Sequence, residues 1–178
     1  QYSEATIKES YISGNDGKGI NSSRSQIILT SSVIKNNTFG NLYSTLSTIN
    51  INNSLFTDTL GVYNIRTYSN DIINITNSTL VQTGLQDDPN LNFQSPNVDI
   101  INSIIWSNDS LRKPIELDAD SINITYSNIL GGWPGIGNVT GDPAFVSDTD
   151  FHLTELSPGV DRASPESSTV FDLEGNAR

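Results

Sequence analysis

Cysteine and methionine are both absent from this chain of 178 residues, and histidine occurs once. Without cysteine no disulfide can form, and the missing initiator methionine indicates a processed or interior piece of a longer chain. Basic residues are also scarce. The chain has nine Lys and Arg and twenty Asp and Glu, which gives a net charge of −11. Nucleic acids and anionic membrane surfaces are therefore excluded as partners, since both require basic patches.

Long apolar runs are missing as well. No stretch approaches the roughly 20 residues that a transmembrane helix needs, so membrane insertion is not predicted, and no signal peptide is visible. We interpret the acidity as the solubility device of an extracellular or cell-surface protein.

What the chain has in quantity is one short pattern, repeated six times and aligned on a serine. The serines are Ser10, Ser32, Ser54, Ser78, Ser103 and Ser127. They lie 22, 22, 24, 25 and 24 residues apart. A period in this range is typical of a solenoid, in which one unit buries its apolar face only when a neighbour stacks on it.

Three apolar columns accompany the serines, five and three residues before each serine and two residues after it. They are Ala5, Ile27, Ile49, Ile73, Val98 and Ile122; Ile7, Leu29, Ile51, Ile75, Ile100 and Ile124; and Ile12, Ile34, Phe56, Leu80, Ile105 and Ile129. All of these positions are apolar in a chain that is only 35% hydrophobic. The columns therefore predict the core.

The spacing within one unit predicts strands joined at a corner. The first two columns are two residues apart, the period of a strand with alternate side chains facing one core. The step to the serine is three, so the strand turns there, and Asn53, Asn77 and Asn102 before the serine tolerate the left-handed conformation of such a corner. We predict an all-β parallel β-helix of about six coils, spaced roughly 4.8 Å apart.

A further strand in each coil is predicted seven or eight residues before the next first column. The segments are 19–22, 42–44, 62–65, 91–93 and 115–117. The longer connections at 84–90 and 108–114 are the predicted protruding loops. We assign residues 1–133 to the coils and residues 134–178 to an irregular C-terminal cap, and we expect Trp133, at the end of the repeat, to have a capping role.

The cap carries four ordered motifs: Asp142-Pro-Ala-Phe145, Asp150-Phe-His-Leu153, Ser157-Pro-Gly-Val-Asp161 and Asp172-Leu-Glu-Gly-Asn-Ala-Arg178. Their order resembles the C-terminal end of right-handed parallel β-helix proteins of the pectin-lyase-like superfamily. The similarity is greatest to the bacterial exported branch that carries a C-terminal sorting or anchoring region. The resemblance implies a right-handed coil and an extracellular or cell-surface location.

Superfamily members that cleave acidic polysaccharides combine carboxylates for calcium with a basic residue that removes a proton. The nearest cluster here is Arg112-Lys113 with Asp109, Asp118 and Asp120, which we interpret as a solvated loop. Asp71 and Asp120 share an offset from their serines but lie two coils apart, and Asp99 has another offset. We therefore predict no catalytic residue.

Metal and cofactor signals are equally sparse. Asp87-Asp88 and Asp148-Thr-Asp150 are candidate calcium ligands, but neither has the alternating oxygen spacing of a dedicated calcium loop, so no cofactor is predicted. We expect His152 to be structural. The serine column is predicted to be a hydroxyl ladder bonded from coil to coil, and Trp106 is expected to point outward.

Two modification motifs occur. Asn-x-Ser/Thr is found eight times, and Asn36, Asn74 and Asn108 are our candidates among them. Thr59, Ser110 and Ser121 lie in Asp-Ser/Thr-aliphatic triplets, which resemble an O-glycosylation motif of exported bacterial proteins.

The predicted function is a non-catalytic structural or adhesive rod, and two alternatives stay open: a polysaccharide lyase or hydrolase, and a glycan-binding module. The first coil begins at Ala5, leaving four residues to cover an open solenoid end. We expect upstream coils, or a second copy docked head to tail, at that end. Extracellular polysaccharide is a further candidate partner.

Overall fold

The computed structural model describes residues 3–60, 62–84, 88–94, 97–109, 113–118, 121–166 and 171–176. They contain seventeen strands and no helix. The strands are β1 (Ser3–Lys8), β2 (Tyr11–Ser13), β3 (Ile20–Ser23), β4 (Ser25–Thr30), β5 (Val33–Lys35), β6 (Leu42–Thr45), β7 (Thr48–Asn52), β8 (Leu55–Asp58), β9 (Ile65–Tyr68), β10 (Ile72–Thr76), β11 (Thr79–Gln82), β12 (Leu91–Gln94), β13 (Asn97–Ile101), β14 (Ile104–Ser107), β15 (Ile115–Asp118), β16 (Ser121–Thr125) and β17 (Asn128–Ile129).

Every third strand joins the same parallel sheet. Sheet A runs β1-β4-β7-β10-β13-β16, sheet B runs β2-β5-β8-β11-β14-β17, and sheet C runs β3-β6-β9-β12-β15. One strand from each sheet makes one turn, so the chain completes five turns and begins a sixth with β16 and β17. The all-β parallel β-helix predicted from the repeat is confirmed.

The register stacks the predicted apolar columns on one another. In sheet A, Ile49 pairs with Ile73 and Ile73 with Val98, and in sheet B, Phe56 pairs with Leu80. These side chains are almost wholly buried, because each is covered by a coil on either side. In the first coil Ala5 is exposed, since a single neighbouring coil packs against it.

The corner between sheets A and B is left-handed in all six coils. The residue before each serine has a φ between 48° and 53°: Glu9, Ser31, Asn53, Asn77, Asn102 and Tyr126. The prediction made for the three asparagines is confirmed, and the corner takes the same conformation where the residue is Glu, Ser or Tyr.

The serines after these corners form a ladder, but their hydroxyls do not bond to one another. Each Oγ donates to the carbonyl two residues earlier, at 2.7–2.9 Å. From Ser32 onward, each Oγ also accepts the backbone N–H of the serine one coil earlier, at 3.1–3.2 Å. The predicted ladder therefore exists, with the backbone as the partner of each hydroxyl.

A second ladder consists of buried asparagines just before sheet C. Asn41 Nδ2 donates to Asn64 Oδ1 at 2.5 Å, and Asn64 Nδ2 donates to Asn90 Oδ1 at 2.8 Å. Asn64 also donates to the carbonyl of Val81, so the ladder ties the end of sheet B to sheet C. This ladder was not predicted, although an asparagine precedes the predicted segments 42–44 and 91–93 and another lies within 62–65.

The predicted segments of sheet C match the observed strands closely in four coils. The third is wrong, because β9 begins at Ile65, where the predicted segment 62–65 ends. Asn64 precedes Ile65 as Asn41 precedes Leu42, and this buried amide, with Tyr63, fixes where the strand starts.

The cap continues the bonding pattern of a coil for four residues. The backbone N–H of Tyr126 donates to the Ile136 carbonyl, and that of Ser127 donates to Asn138 Oδ1 at 3.0 Å. Asn138 thus takes the acceptor role that a serine has in the coils. Gly137 stands in the left-handed corner position with a φ of 71°, where a Cβ would lie 2.4 Å from the Tyr126 ring. Trp133 packs against the last coil's core, in agreement with a covering role.

Candidate functional site

The C-terminal segment, defined here as residues 140–166 and 171–176, returns along the outside of the rod at the corner between sheets A and B. Asn128 Nδ2 donates to the Gly141 carbonyl in coil six, and Asn102 Oδ1 accepts the Ser164 N–H at 2.7 Å in coil five. In coil three, Asn53 Nδ2 donates to the Asp172 carbonyl at 3.1 Å. Two left-handed corner asparagines, Asn53 and Asn102, and Asn128 at the start of β17 therefore hold the returning segment.

A groove of about 820 Å³ separates this segment from the rod. Its rod side includes Leu55, Ile104 and Tyr126, and its other wall includes Phe151 and Val160. Carboxylates from the C-terminal segment line it too: Asp150, Asp161, Asp172 and Glu174. The volume lies within the range of small-molecule sites, roughly 300–1,000 Å³. We call this space the groove.

His152 lies in the groove between two of those carboxylates. Its Nδ1 is 2.5 Å from Asp150 Oδ1, and its Nε2 is 3.5 Å from Glu174 Oε1. The hydrogen bond to Asp150, followed by the charge of Glu174, raises the pKa of His152 above its ordinary value. The same hydrogen bond lowers the pKa of Asp150. The structural role expected for His152 stays a prediction.

Asp71 is wholly buried and does not face Asp99. Its Oδ1 accepts the Ser47 N–H at 2.6 Å and its Oδ2 accepts the Tyr68 N–H at 3.2 Å, in the corner between sheets C and A. Burial raises the pKa of Asp71, and the two amides partly offset that rise. Asp99 lies on the outer face of sheet A and accepts from Asn123. The structure therefore does not bring these two carboxylates into one groove, and Asp120 lies outside the described residues.

The predicted mixed-charge cluster lies partly outside the described residues, which do not include Arg112 or Asp120. Of its other members, Lys113 and Asp118 are exposed and Asp109 is half-buried. Trp106 is half-buried on β14 and alternates with the buried Ile105 and Ser107, so it points outward as expected.

The glycosylation candidates occupy different surroundings. Asn36 Oδ1 accepts both the N–H and the hydroxyl of Thr59, which joins two of the candidates. Asn74 Nδ2 donates to Asn50 on the outer face of sheet A.

Two other candidates are exposed. Asn108 donates to Asp148 of the C-terminal segment, and Ser121 begins β16. Ser110 lies outside the described residues. These candidates remain predictions.

An aromatic and cationic cluster on the outer face of sheet C was not predicted. Lys18 Nζ lies 3.2 Å from the centre of the Tyr43 ring, and that ring is 5.5 Å from Tyr68. One coil further, Arg66 stacks on Tyr63. Tyr43 and Arg66 are register partners in adjacent strands. The signal was a polar or aromatic residue at the second position of each sheet C strand, which the apolar pattern did not reveal.

In the part of the chain that the structure describes, no three His, Asp or Glu residues are grouped to hold an ion. Nor does any helix there have the length and apolar character needed to cross a membrane. Comparison with family models, with curated proteins and with solved structures found no match.

Proposed function

We propose that this protein is a non-catalytic structural rod of an extracellular or cell-surface protein. The supporting observation is the serine ladder, which bonds every corner of sheets A and B to the next coil. The asparagine ladder and the stacked apolar columns connect the same coils. A stack whose bonds all repeat along one axis resists bending and local opening, as an extended scaffold requires.

We further propose that the rod continues at its N-terminal face. Within the described residues β1 pairs with β4 alone, so its other edge can accept a further parallel strand. The opposite end is covered by Trp133 and residues 136–139. An upstream coil of the same chain or a second copy is the proposed occupant of this edge.

Light scattering across a concentration series, with electron microscopy, tests the second copy. A concentration-dependent mass above 19.3 kDa is the result expected for self-association. A monomer at every concentration eliminates the second copy as the occupant of this edge.

Incubation with a uronate polymer and millimolar calcium tests the absence of catalysis. The expected result is no unsaturated product and no new reducing ends. Turnover that is abolished by Asp118→Ala would overturn the structural assignment and favour a lyase.

A second candidate function, glycan binding, is supported by the cluster on sheet C. Tyr43 and Tyr68 offer ring faces, and Lys18 and Arg66 are cations in an otherwise acidic protein. Uronate oligomers are the ligand class implied by the resemblance. Calorimetry should show binding that Tyr43→Ala weakens about two- to fivefold, because the cation–π contact with the Tyr43 ring positions the Lys18 ammonium that would face the uronate. Tyr11→Ala is the control, because Tyr11 lies under Lys35 on another sheet. No binding, or equal loss in both variants, rejects this function.

A further inference from the structure

Two motifs of the C-terminal segment, about twenty residues apart in sequence, meet at the single histidine. His152 belongs to the Asp150-Phe-His-Leu153 stretch, and Glu174 belongs to the Asp172-Leu-Glu-Gly-Asn176 stretch. A carboxylate faces each ring nitrogen: Asp150 at Nδ1 and Glu174 at Nε2. Neither the rod nor the proposed function depends on this contact.

Imidazole chemistry limits when both contacts are favourable. A neutral imidazole has one N–H and one lone pair, whereas the imidazolium has an N–H on both nitrogens. With Nδ1–H donated to Asp150, a neutral ring would direct its Nε2 lone pair at the Glu174 carboxylate. Both contacts are therefore attractive only when the ring is protonated.

The Glu174 side of the contact is a preformed turn. Asp172 Oδ1 accepts the backbone N–H groups of Glu174 and Asn176, and its Oδ2 accepts from Asn176 Nδ2. Within this turn, the backbone of Gly175 is left-handed, with a φ of 87°. Because these bonds lie within the turn, it can undock as a unit. Its described attachments elsewhere include the bond from Asn53 to the Asp172 carbonyl and the contact with His152.

We propose that Asp150, His152 and Glu174 form a pH-dependent clasp that holds the turn Asp172–Asn176 against the C-terminal segment. The protonated ring closes the clasp, and loss of the proton releases the turn. Residues of the clasp and of the turn line the groove, so release opens one of its sides. The other charged groups that line the groove are Asp161, Arg162 and Asp172.

The direction of the pH dependence follows from linkage. The pKa of His152 is raised from an ordinary value of 6.5, so the clasp contributes fully below that pH. Its contribution is lost as the pH rises through the higher pKa of the closed form. The contacting side chains are 46–60% exposed, so salt screens them and the experiments belong at low ionic strength.

Proton NMR tests the charge state directly, because a sole histidine gives one assignable imidazole. We expect the wild-type pKa to lie above 6.5 and to fall in Glu174→Gln. Glu155→Gln, which removes an exposed carboxylate from the same segment, is the matched control and should leave the pKa nearly unchanged. A wild-type pKa at or below 6.5, or equal shifts in both variants, overturns the clasp.

Spin-label distances test the release of the turn. The chain has no cysteine, so Thr38→Cys on coil two and Phe171→Cys beside the turn can be labelled without other changes. We expect one narrow distance distribution at pH 6 and a second, longer population at pH 9. In His152→Gln, which cannot become charged, the longer population should be present at both pH values. Distances that do not change with pH, or that change equally in His152→Gln, refute the release.

Discussion

At the scale of single residues, the stack determines the backbone more strongly than residue preference does. A left-handed conformation costs a residue other than glycine about 1–2 kcal/mol, and Asn tolerates it best. Glu9 and Tyr126 nevertheless adopt it, with φ values of 48° and 51°. Each occupies a corner whose following serine is bonded across coils, so the cross-coil bonds outweigh the local preference.

Asp71 shows how one residue accommodates an insertion. In coil three the corner between sheets C and A has one left-handed residue, Leu46, and then Ser47, whose Oγ accepts the Ser25 N–H. In coil four two left-handed residues, Ser69 and Asn70, precede Asp71. The carboxylate is long enough to reach the amides on both sides of this wider corner. Sequence reasoning missed the role because the residue type and the spacing both change there.

The buried Asp71 should make stability fall as the pH rises. Its folded pKa is raised, so between 3.8 and that pKa the unfolded state binds fewer protons and the free energy of unfolding decreases with increasing pH. Denaturation of wild type and Asp71→Asn from pH 3 to pH 7 measures this component as the difference between their slopes. Asp99→Asn controls for the loss of one carboxylate. If the free energies of unfolding of wild type and Asp71→Asn changed with pH in parallel, the prediction would be contradicted.

At the scale of elements, asparagines that are indistinguishable in the sequence lie in different environments in the structure. Asn64 is wholly buried and bonds to Asn41, Val81 and Asn90, whereas Asn74 bonds to Asn50 on a face that water reaches. The period predicted sheets A and B well, because both carry apolar residues in every coil. The sheet C strands were located less precisely, and the cluster of Tyr43 and Arg66 was missed because the outward positions of this sheet share only a polar or aromatic character, which the apolar columns do not reveal.

Replacing Asn64 or Asn74 with alanine should distinguish the contribution of the buried asparagine ladder from that of the exposed bond between Asn74 and Asn50. Asn64→Ala leaves buried partners on both sides unsatisfied, at about 1–3 kcal/mol for each lost partner, so we expect a loss of roughly 3 kcal/mol. Asn74→Ala exposes its partner to water and should change the free energy of unfolding by less than about 0.5 kcal/mol. Urea denaturation measures both. If both variants lost a similar amount of unfolding free energy, the buried asparagine ladder would contribute no more to stability than the exposed bond does.

At the scale of the whole molecule, the rod is predictable and the returning segment is not. Six aligned serines and three apolar columns predict the stack, because each coil requires the same types of residue at the same positions as the coil before it. The position of Glu174 beside His152 depends on the C-terminal segment folding back from coil six to coil three, and no periodicity encodes that path. The asparagines that bond to the segment could be read from the sequence only as turn or strand residues, because the partners of their side chains come from a distant part of the chain.

The position of a substituted core residue along the rod should determine how many coils it destabilises. Ile75 is wholly buried between two neighbouring coils, whereas Ile7 in the first coil is half-buried. Ile75→Ala should cost about 2–5 kcal/mol, the range for a large buried side chain cut to alanine. In a nearest-neighbour stack the loss weakens the coils on both sides. Hydrogen exchange should therefore show faster exchange in coils three to five.

Ile7→Ala is the matched end variant. Its side chain buries less area against a single neighbour, so we expect a loss of roughly 1 kcal/mol and faster exchange in the first two coils only. Equal losses, or exchange that accelerates uniformly along the rod in both variants, would mean that the coils unfold as one unit. In that case nearest-neighbour contacts would not set the stability of the rod. Different spread in the two variants would instead establish that each coil is stabilised by the coil stacked on it.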